Sequence, residues 1–333
     1  MRRDTTIDFL RFLGLSLIIL VHVNPPFFIK QLRCFDVPLM VFVSGLSASG
    51  KEISNIGQFL LKRSKRLLIP VWVFLLFYLS VLYFLQFYLL PEQYLTWTMI
   101  WRSFLLLDHS IGYVWIIRVF LLIMIATPFL CRIVNRCNSL FSFWSFIFIS
   151  LFVIEVFVYI SSQCENIFLL RFFLQDILIY TLSYSIFFIL GLRLRYMQVN
   201  EKLYELYIVI VLSLCYVCSY MISYGFPIMI TPTFKEPPHS YYIVYGLLMS
   251  IILWNIKPVI DKISNYRFFS FVGQNTIWIY LWHMPLVLVS SKIHLNWSYK
   301  YILVYFLAIF IFYVQYFIVK KINNSTMTKY FLG

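Results

Sequence analysis

Charge is scarce in this chain. Asp, Glu, Lys and Arg make up 12% of the 333 residues, about half of the roughly 25% that coats a soluble domain. That shortage excludes a soluble enzyme, and the apolar content excludes a disordered chain. Cysteine is too irregular for a secreted disulfide scaffold: Cys34, Cys131, Cys137, Cys164, Cys215 and Cys218 show no framework spacing. Cys215 and Cys218 stand three apart, but no second Cys or His pair follows. No metal site is therefore expected, and the thiols read as small buried hydrophobes. No internal repeat and no low-complexity linker breaks the sequence. What the chain has in excess is apolar mass, 62% hydrophobic with 35 Phe and 25 Tyr. A single globular core of this length would leave most of those rings in water. The expectation is an all-α, polytopic membrane helix bundle forming one domain over 1–333.

The net charge of +14 would suggest a nucleic-acid partner in a soluble protein. Here most basic residues lie in short loops between apolar runs, where membrane topology accounts for them. No nucleic-acid partner is expected. A helical span needs about 20 apolar residues, and ten such runs are present, near 7–28, 35–50, 67–90, 112–131, 140–160, 168–191, 204–223, 240–256, 268–290 and 300–319. The first is too long for a signal peptide, contains Arg11 and His22, and lacks a small-residue cleavage site. With both termini in the cytoplasm, the inward loops hold 18 basic residues and the outward loops 6. That bias supports ten spans in a cytoplasmic membrane. Segment 91–111, with Tyr94, Trp97 and Trp101, suits an interfacial helix. Loop 224–239 carries Pro227, Pro232, Pro237 and Pro238 and cannot be helical throughout.

An ionisable group at membrane depth is costly, which makes each one a functional candidate. Arg11 and His22 are eleven residues apart, three helical turns plus about 20°, with His22 about 16 Å further along the axis. Asp8 joins the same stripe. An acid, a guanidinium and an imidazole on one face point to a shared cavity. The alternative is a snorkelling Arg beside a hydrogen-bonded bundle histidine. Asp36, at the start of the second span, either orients His22 or serves as an N-terminal helix charge, with Pro38 in the first turn. Arg63 and Arg66, in the inward loop Lys62-Arg63-Ser64-Lys65-Arg66, share a helix face. They suit a polyphosphate gripped bidentately, or a topology signal that touches lipid headgroups. Tyr113-Val114-Trp115-Ile116-Ile117-Arg118 places Arg118 inside the outer leaflet. Glu155, Arg171 and Asp176 also fall within spans, with a local Arg171–Asp176 pair as one expectation. The polar-studded run 273–285 carries His283 at a depth like that of His22, which a satisfied bundle histidine would also explain.

With these residues in view, the chain resembles the acyltransferase-3 family of membrane acyltransferases, bacterial O-acetyltransferases that decorate surface polysaccharides. Ile7-Asp8-Phe9-Leu10-Arg11 followed by His22 is similar to the family's first-span signature. Pro38 to Gly45 (PLMVFVSG) resembles the second. Arg63-Ser64-Lys65-Arg66 matches an R-x-x-R loop, and Trp115-Ile116-Ile117 a W-[FY]-L-like stretch. Phe188-Ile189-Leu190-Gly191 and Ile279-Tyr280-Leu281-Trp282-His283-Met284-Pro285 resemble later landmarks. The set runs in family order over nearly the whole chain. Two positions depart from the pattern: Asp36 stands where some relatives carry His or another residue, and Ile116-Ile117 replaces the commoner aromatic-Leu pair. With no long extra-membrane tail, no appended extracytoplasmic domain is expected.

The resemblance implies an acyl-CoA donor, acetyl-CoA above all, with no permanently bound cofactor. It implies a sugar hydroxyl of a polysaccharide or lipid-linked glycan as acceptor. His22 is then the candidate base, since imidazole titrates near neutrality. Arg11 holds donor phosphate or polarises the thioester carbonyl, and Arg63 and Arg66 hold the CoA phosphates. Asp8, Asp36, Trp115, Arg118 and His283 are supporting or acceptor-side candidates. Whether His22 only moves a proton or also carries the acyl group stays open. The rival classes are a polysaccharide flippase and a polymerase. The first expects repeats around a midplane site. The second expects a large outward loop.

Overall fold

The computed structural model describes residues 4–50, 53–86, 95–107, 114–137, 139–164, 167–225, 232–322, 328 and 330–332. Its elements are helical: α1 (Thr5–His22), α2 (Phe27–Leu32), α3 (Asp36–Ala48), α4 (Ile56–Gln86), α5 (Trp97–Phe104), α6 (Trp115–Arg136), α7 (Leu140–Gln163) and α8 (Phe168–Phe172). A π-helical stretch (Phe173–Ile179) then leads into α9 (Tyr180–Leu194). The order closes with α10 (Val199–Tyr224), α11 (Ser240–Asn255), α12 (Lys257–Ser264), α13 (Arg267–Gln274), α14 (Thr276–Ser291) and α15 (Trp297–Ile322). Each of the ten apolar runs contains helix among its described residues.

Seven helices among the described residues are long and apolar enough to cross a membrane, or eight if the bent pair α11–α12 is one span. Helices α3, with 13 residues, and α14, with 16, fall short. At 1.5 Å per residue they reach about 20 and about 24 Å, against a hydrocarbon core of about 30 Å.

Several boundaries depart from the expected ones, each for a local reason. The first run stops at His22, because Asn24 takes a left-handed conformation (φ 55°) ahead of Pro25 and Pro26, which restrict the residues before them. The run 268–290 is divided at Asn275 into α13 and α14. The expected basic loop at 62–66 is helix: α4 is 31 residues long and starts well before its apolar run. Backbone hydrogen bonding continues past the apolar edge, and long basic side chains reach outward from the helix. The 91–111 segment supplies only the short α5 among its described residues, with Trp97 exposed and Thr96 capping Met99 N. Tyr94 and Tyr113 lie outside the described residues, as does Pro227. Residues 232–238 form turns, as the prolines require.

The described chain groups into two compact units, and α1 contributes to both. The first comprises Met1–Ile18, Pro26–Ile53 and Ile125–Ser270. Its core is the crossing of α3 with α9, covered by α11. A β-carbon built on Gly45 would lie 2.1 Å from the Phe188 carbonyl oxygen. One built on Gly191 would lie 2.2 Å from the Phe42 carbonyl oxygen and 3.1 Å from Gly45 Cα. The two helices therefore meet backbone to backbone, which only small residues permit in a membrane bundle. Gly246 of α11 repeats the device against the Phe187 ring and Pro38. Phe42, Tyr184, Phe187 and Tyr242 fill the space around the crossing and are fully buried.

Polar locks hold the edges of this unit. Glu205 of α10 is fully buried, accepts from Arg193 Nε at 2.8 Å and from Trp144 Nε1 at 2.5 Å, and so ties α10 to α9 and α7. Arg193 also donates to the Cys137 carbonyl and covers the Phe143 ring. Glu155 receives both the backbone N–H (2.6 Å) and the hydroxyl (2.5 Å) of Ser240, with His239 Nδ1 at 3.0 Å. A carboxylate from α7 thus caps the N-terminus of α11, which is a structural account of an acid placed within a span. Arg171 donates to Gln175 at 3.2 Å, so the local pair expected with Asp176 is replaced by one four residues along the helix. At the start of α1, Asp4 binds Arg195 (2.7 Å) and Lys257 (3.7 Å), Lys257 binds Asp261 (2.7 Å), and Thr6 meets Asp261.

The second unit comprises Ile19–Pro25, Ser54–Met124 and Phe271–Gly333. Here α14 is held between α4 and α15. Phe74 and Phe77 set ring edges against Trp282, 5.5 and 6.0 Å between centroids. Trp282 Nε1 donates to Gln315 at 2.6 Å, and Gln315 passes a bond on to the Phe331 carbonyl at 2.7 Å.

A side chain at the glycine crossing has no room. Gly191→Val should lower the melting temperature in detergent and the yield of monodisperse protein, the scale of overpacking being about 1–3 kcal/mol or more; an unchanged melting curve would contradict the close approach. Burial acts to raise the Asp4 carboxyl, but Lys257 and Arg195 outweigh it and hold it below its ordinary value of 3.8. The ionised form is therefore the one that the fold favours. Its contribution is complete above pH 4 and disappears as pH falls through the depressed value. Asp4→Asn should lower thermal stability at pH 6 and narrow its gap from the parent in more acidic buffer.

Candidate active site

The helix α1 is unbroken from Thr5 to His22, so the helical arithmetic placing Arg11 and His22 on one face applies to a continuous element. The surroundings of the two residues differ. Arg11 Nη1 lies 3.6 Å from Asp8 Oδ1, and Nη2 donates to Ser47 Oγ at 2.8 Å. Asp8 is buried, whereas Arg11 keeps 29% of its side chain exposed. A guanidinium has five N–H donors; Asp8 and Ser47 anchor this one, and 29% of its side chain remains exposed. Ser47 returns its own hydroxyl to the Val43 carbonyl at 2.8 Å, which fixes the lone pair that Arg11 uses.

His22 stands at the other end, in the last turn of α1. Its ring lies 5.3 Å from that of His283, centroid to centroid, at an interplanar angle of 32°. His283 is fully buried within α14, its Nδ1 bonded to the carbonyl of Tyr280 one turn earlier. The Tyr280 ring lies 4.9 Å from the His283 ring. The structure thus joins two histidines that are about 260 residues apart in sequence, and Tyr280 with them.

Asp36 is fully engaged at the N-terminus of α3. Its carboxylate meets Arg33, lies 4.0 Å from Lys235 Nζ, and accepts from the Val37 backbone N–H at 2.9 Å. Of the two readings open for Asp36, these contacts match the N-terminal helix charge. Arg63 and Arg66 are both exposed in the first turns of α4, one turn apart, with Arg63 over the Phe59 ring at 5.7 Å. No acidic side chain among the described residues pairs with either. Trp115 is the first residue of α6 and is half-buried, and Arg118 is buried in its first turn.

Sequence reasoning missed Ser47, the carbonyl of Tyr280, Lys235 and Gln315. Tyr280 lay inside the polar-studded run one turn before His283, and Gln315 is a lone amide in an apolar span, which is a signal in itself. Nothing local marks Ser47 or Lys235 as partners of residues far away in the chain.

A chain with at least seven spanning-length apolar helices among its described residues is a multi-pass membrane protein. A family model described as an acyltransferase domain (Acyl_transf_3) matches residues 4–321. Because that match covers nearly the whole chain, the protein belongs to the acyltransferase-3 family of membrane O-acyltransferases. No curated protein and no solved structure matches the chain.

Proposed function

We propose that the protein moves an acetyl or other short acyl group from acyl-CoA to a hydroxyl of a surface polysaccharide or its lipid-linked precursor. The setting is a bacterial cytoplasmic membrane, with both termini on the cytoplasmic side. The observation that carries the reading is the content of α1: an anchored, half-open guanidinium and an imidazole on one helical face of an acyltransferase-family chain.

The chemistry needs few groups. An alcohol is a poor nucleophile until its proton is removed during attack. A nitrogen of His22 takes that proton as the alcohol oxygen bonds to the thioester carbonyl carbon. Negative charge then gathers on the carbonyl oxygen, where nearby N–H donors must meet it; Arg11, about 16 Å from His22 along the helix axis, holds a phosphate of the donor instead. The C–S bond breaks, the thiolate of CoA leaves with its electron pair, and imidazolium returns the proton to sulfur. Acceptor and acyl group leave as an ester. Arg63 and Arg66, exposed and without acidic partners among the described residues, grip the phosphates of CoA. A guanidinium pair one turn apart suits a diphosphate bound at two oxygens. Acyl-CoA is a substrate in this scheme, and no resident cofactor is required.

Membranes carrying the protein should transfer label from radioactive acetyl-CoA into glycan. His22→Ala should abolish transfer while leaving the protein inserted and monodisperse; full labelling by that variant would remove His22 from its role. Arg63→Ala with Arg66→Ala should raise KM for acetyl-CoA at least about tenfold, since charge-assisted hydrogen bonds are worth about 1.5–3 kcal/mol. The effect on kcat and melting temperature should be much smaller, both side chains being exposed. An unchanged KM would leave these arginines as topology signals.

A further inference from the structure

The tautomer of His283 follows from its surroundings. Its Nδ1 is bonded to the carbonyl oxygen of Tyr280, an atom with lone pairs and no hydrogen to give. Nδ1 therefore carries the proton, and in neutral imidazole the other nitrogen, Nε2, carries a lone pair. That Nε2 is buried and has no hydrogen-bond partner among the described residues. A buried acceptor left unmet is unfavourable and calls for an explanation, of which a catalytic role is one.

The ring beside it is that of His22, 5.3 Å away between centroids. Face-to-face contact would bring the rings to about 3.5–4 Å. Two imidazoles joined edge to edge through one N–H···N bond of about 3 Å have centroids about 5 Å apart. The rings as they stand are tilted neighbours at 32°, with no bond yet made to His283 Nε2 among the described residues; turning the His22 side chain about its own torsions brings a nitrogen within reach of that atom. The backbone under His283 is well fixed. Its neighbour Trp282 is bonded to Gln315 and packed by Phe74 and Phe77.

We propose that His283 is the positioning residue for His22: its Nε2 lone pair accepts an N–H from His22, leaving the other nitrogen of His22 as the lone pair that faces the alcohol. The proposal rests on the reading of His22 as the base. The proton balance is simple. Neutral His22 gives one N–H to His283 as a hydrogen bond and takes the alcohol's proton on its second nitrogen. The imidazolium so formed keeps its bond to Nε2, now charge-assisted, until the second proton passes to the departing sulfur. His283 stays neutral throughout, its own proton held at Nδ1 by Tyr280. In hydrolytic triads a carboxylate orients the histidine. A neutral imidazole does the same work where a buried carboxylate would be costly.

Two substitutions in the full-length protein separate this role from a structural one. In His283→Asn the side-chain amide stands near Nδ1, keeping a donor for Tyr280 with nothing at the Nε2 position. In His283→Gln the longer amide reaches the Nε2 position with an oxygen that accepts. Asn should lower kcat for acyl transfer at least about tenfold, with KM for acetyl-CoA and melting temperature unchanged, and Gln should restore most of the rate. Equal loss in both, or a loss that follows melting temperature, would make His283 structural, and full activity in Asn would make it dispensable. Nitrogen-15 histidine spectra, assigned by replacing His22 and His283 singly, give a second readout independent of turnover. His283 should show a protonated Nδ1 and bare Nε2, and the His22 resonances should move in His283→Asn. Unmoved His22 resonances overturn the pairing. Wild-type protein that transfers no acyl group overturns the functional reading instead, while the spectra still decide the pairing.

Discussion

The backbone contact between Gly45 and Gly191 is the constraint on which the first unit is built. Lipid tails are as apolar as leucine, so burying more apolar surface does little to bring two helices together in a bilayer. Close packing and internal hydrogen bonds do that work. With no β-carbon at either position, α3 and α9 approach until the carbonyl oxygens of Phe42 and Phe188 would touch any added atom. From that crossing follow the burial of Tyr184, Phe187 and Tyr242 and the place of α11 against it. The two glycines are also the last residues of two sequence landmarks, P-L-M-V-F-V-S-G and F-I-L-G. Their glycines serve packing.

The same solvent argument sorts the ionisable residues. Where water is absent, a charge must find its partner within the protein. Glu205 finds Arg193 and Trp144, Glu155 finds the start of α11, and Asp36 finds Arg33, Lys235 and a backbone N–H. Removing one member of such a buried pair leaves the other uncompensated, which is why the pairs persist even though the desolvation of both ions weighs against them. His283 and the Arg63–Arg66 pair do not follow it. His283 keeps a buried lone pair, and Arg63 and Arg66 display guanidiniums at the start of α4 with no acid among the described residues. Chemistry with an alcohol and a phosphate-bearing donor would use both.

The sequence also misled in instructive ways. Glu155 qualified as a functional candidate by depth alone, and its three contacts turn out to cap a helix. The basic run at 62–66 read as a loop because it is polar, but polarity ends an apolar run without ending a helix. The run at 268–290 read as one span despite its polar residues, and it is at Asn275, among them, that the helix divides.

The helical class and the position of all ten apolar runs were determined by sequence, because composition and run length report directly on the solvent that surrounds each segment. So was the stripe of Asp8, Arg11 and His22, since helical periodicity is a property of neighbours along the chain. Only the tertiary structure decided which histidine would meet His22, that Ser47 would hold Arg11, and that Gly45 would face Gly191. Those contacts join residues separated by tens to hundreds of positions. No local pattern specifies such a meeting; it follows from how whole helices pack.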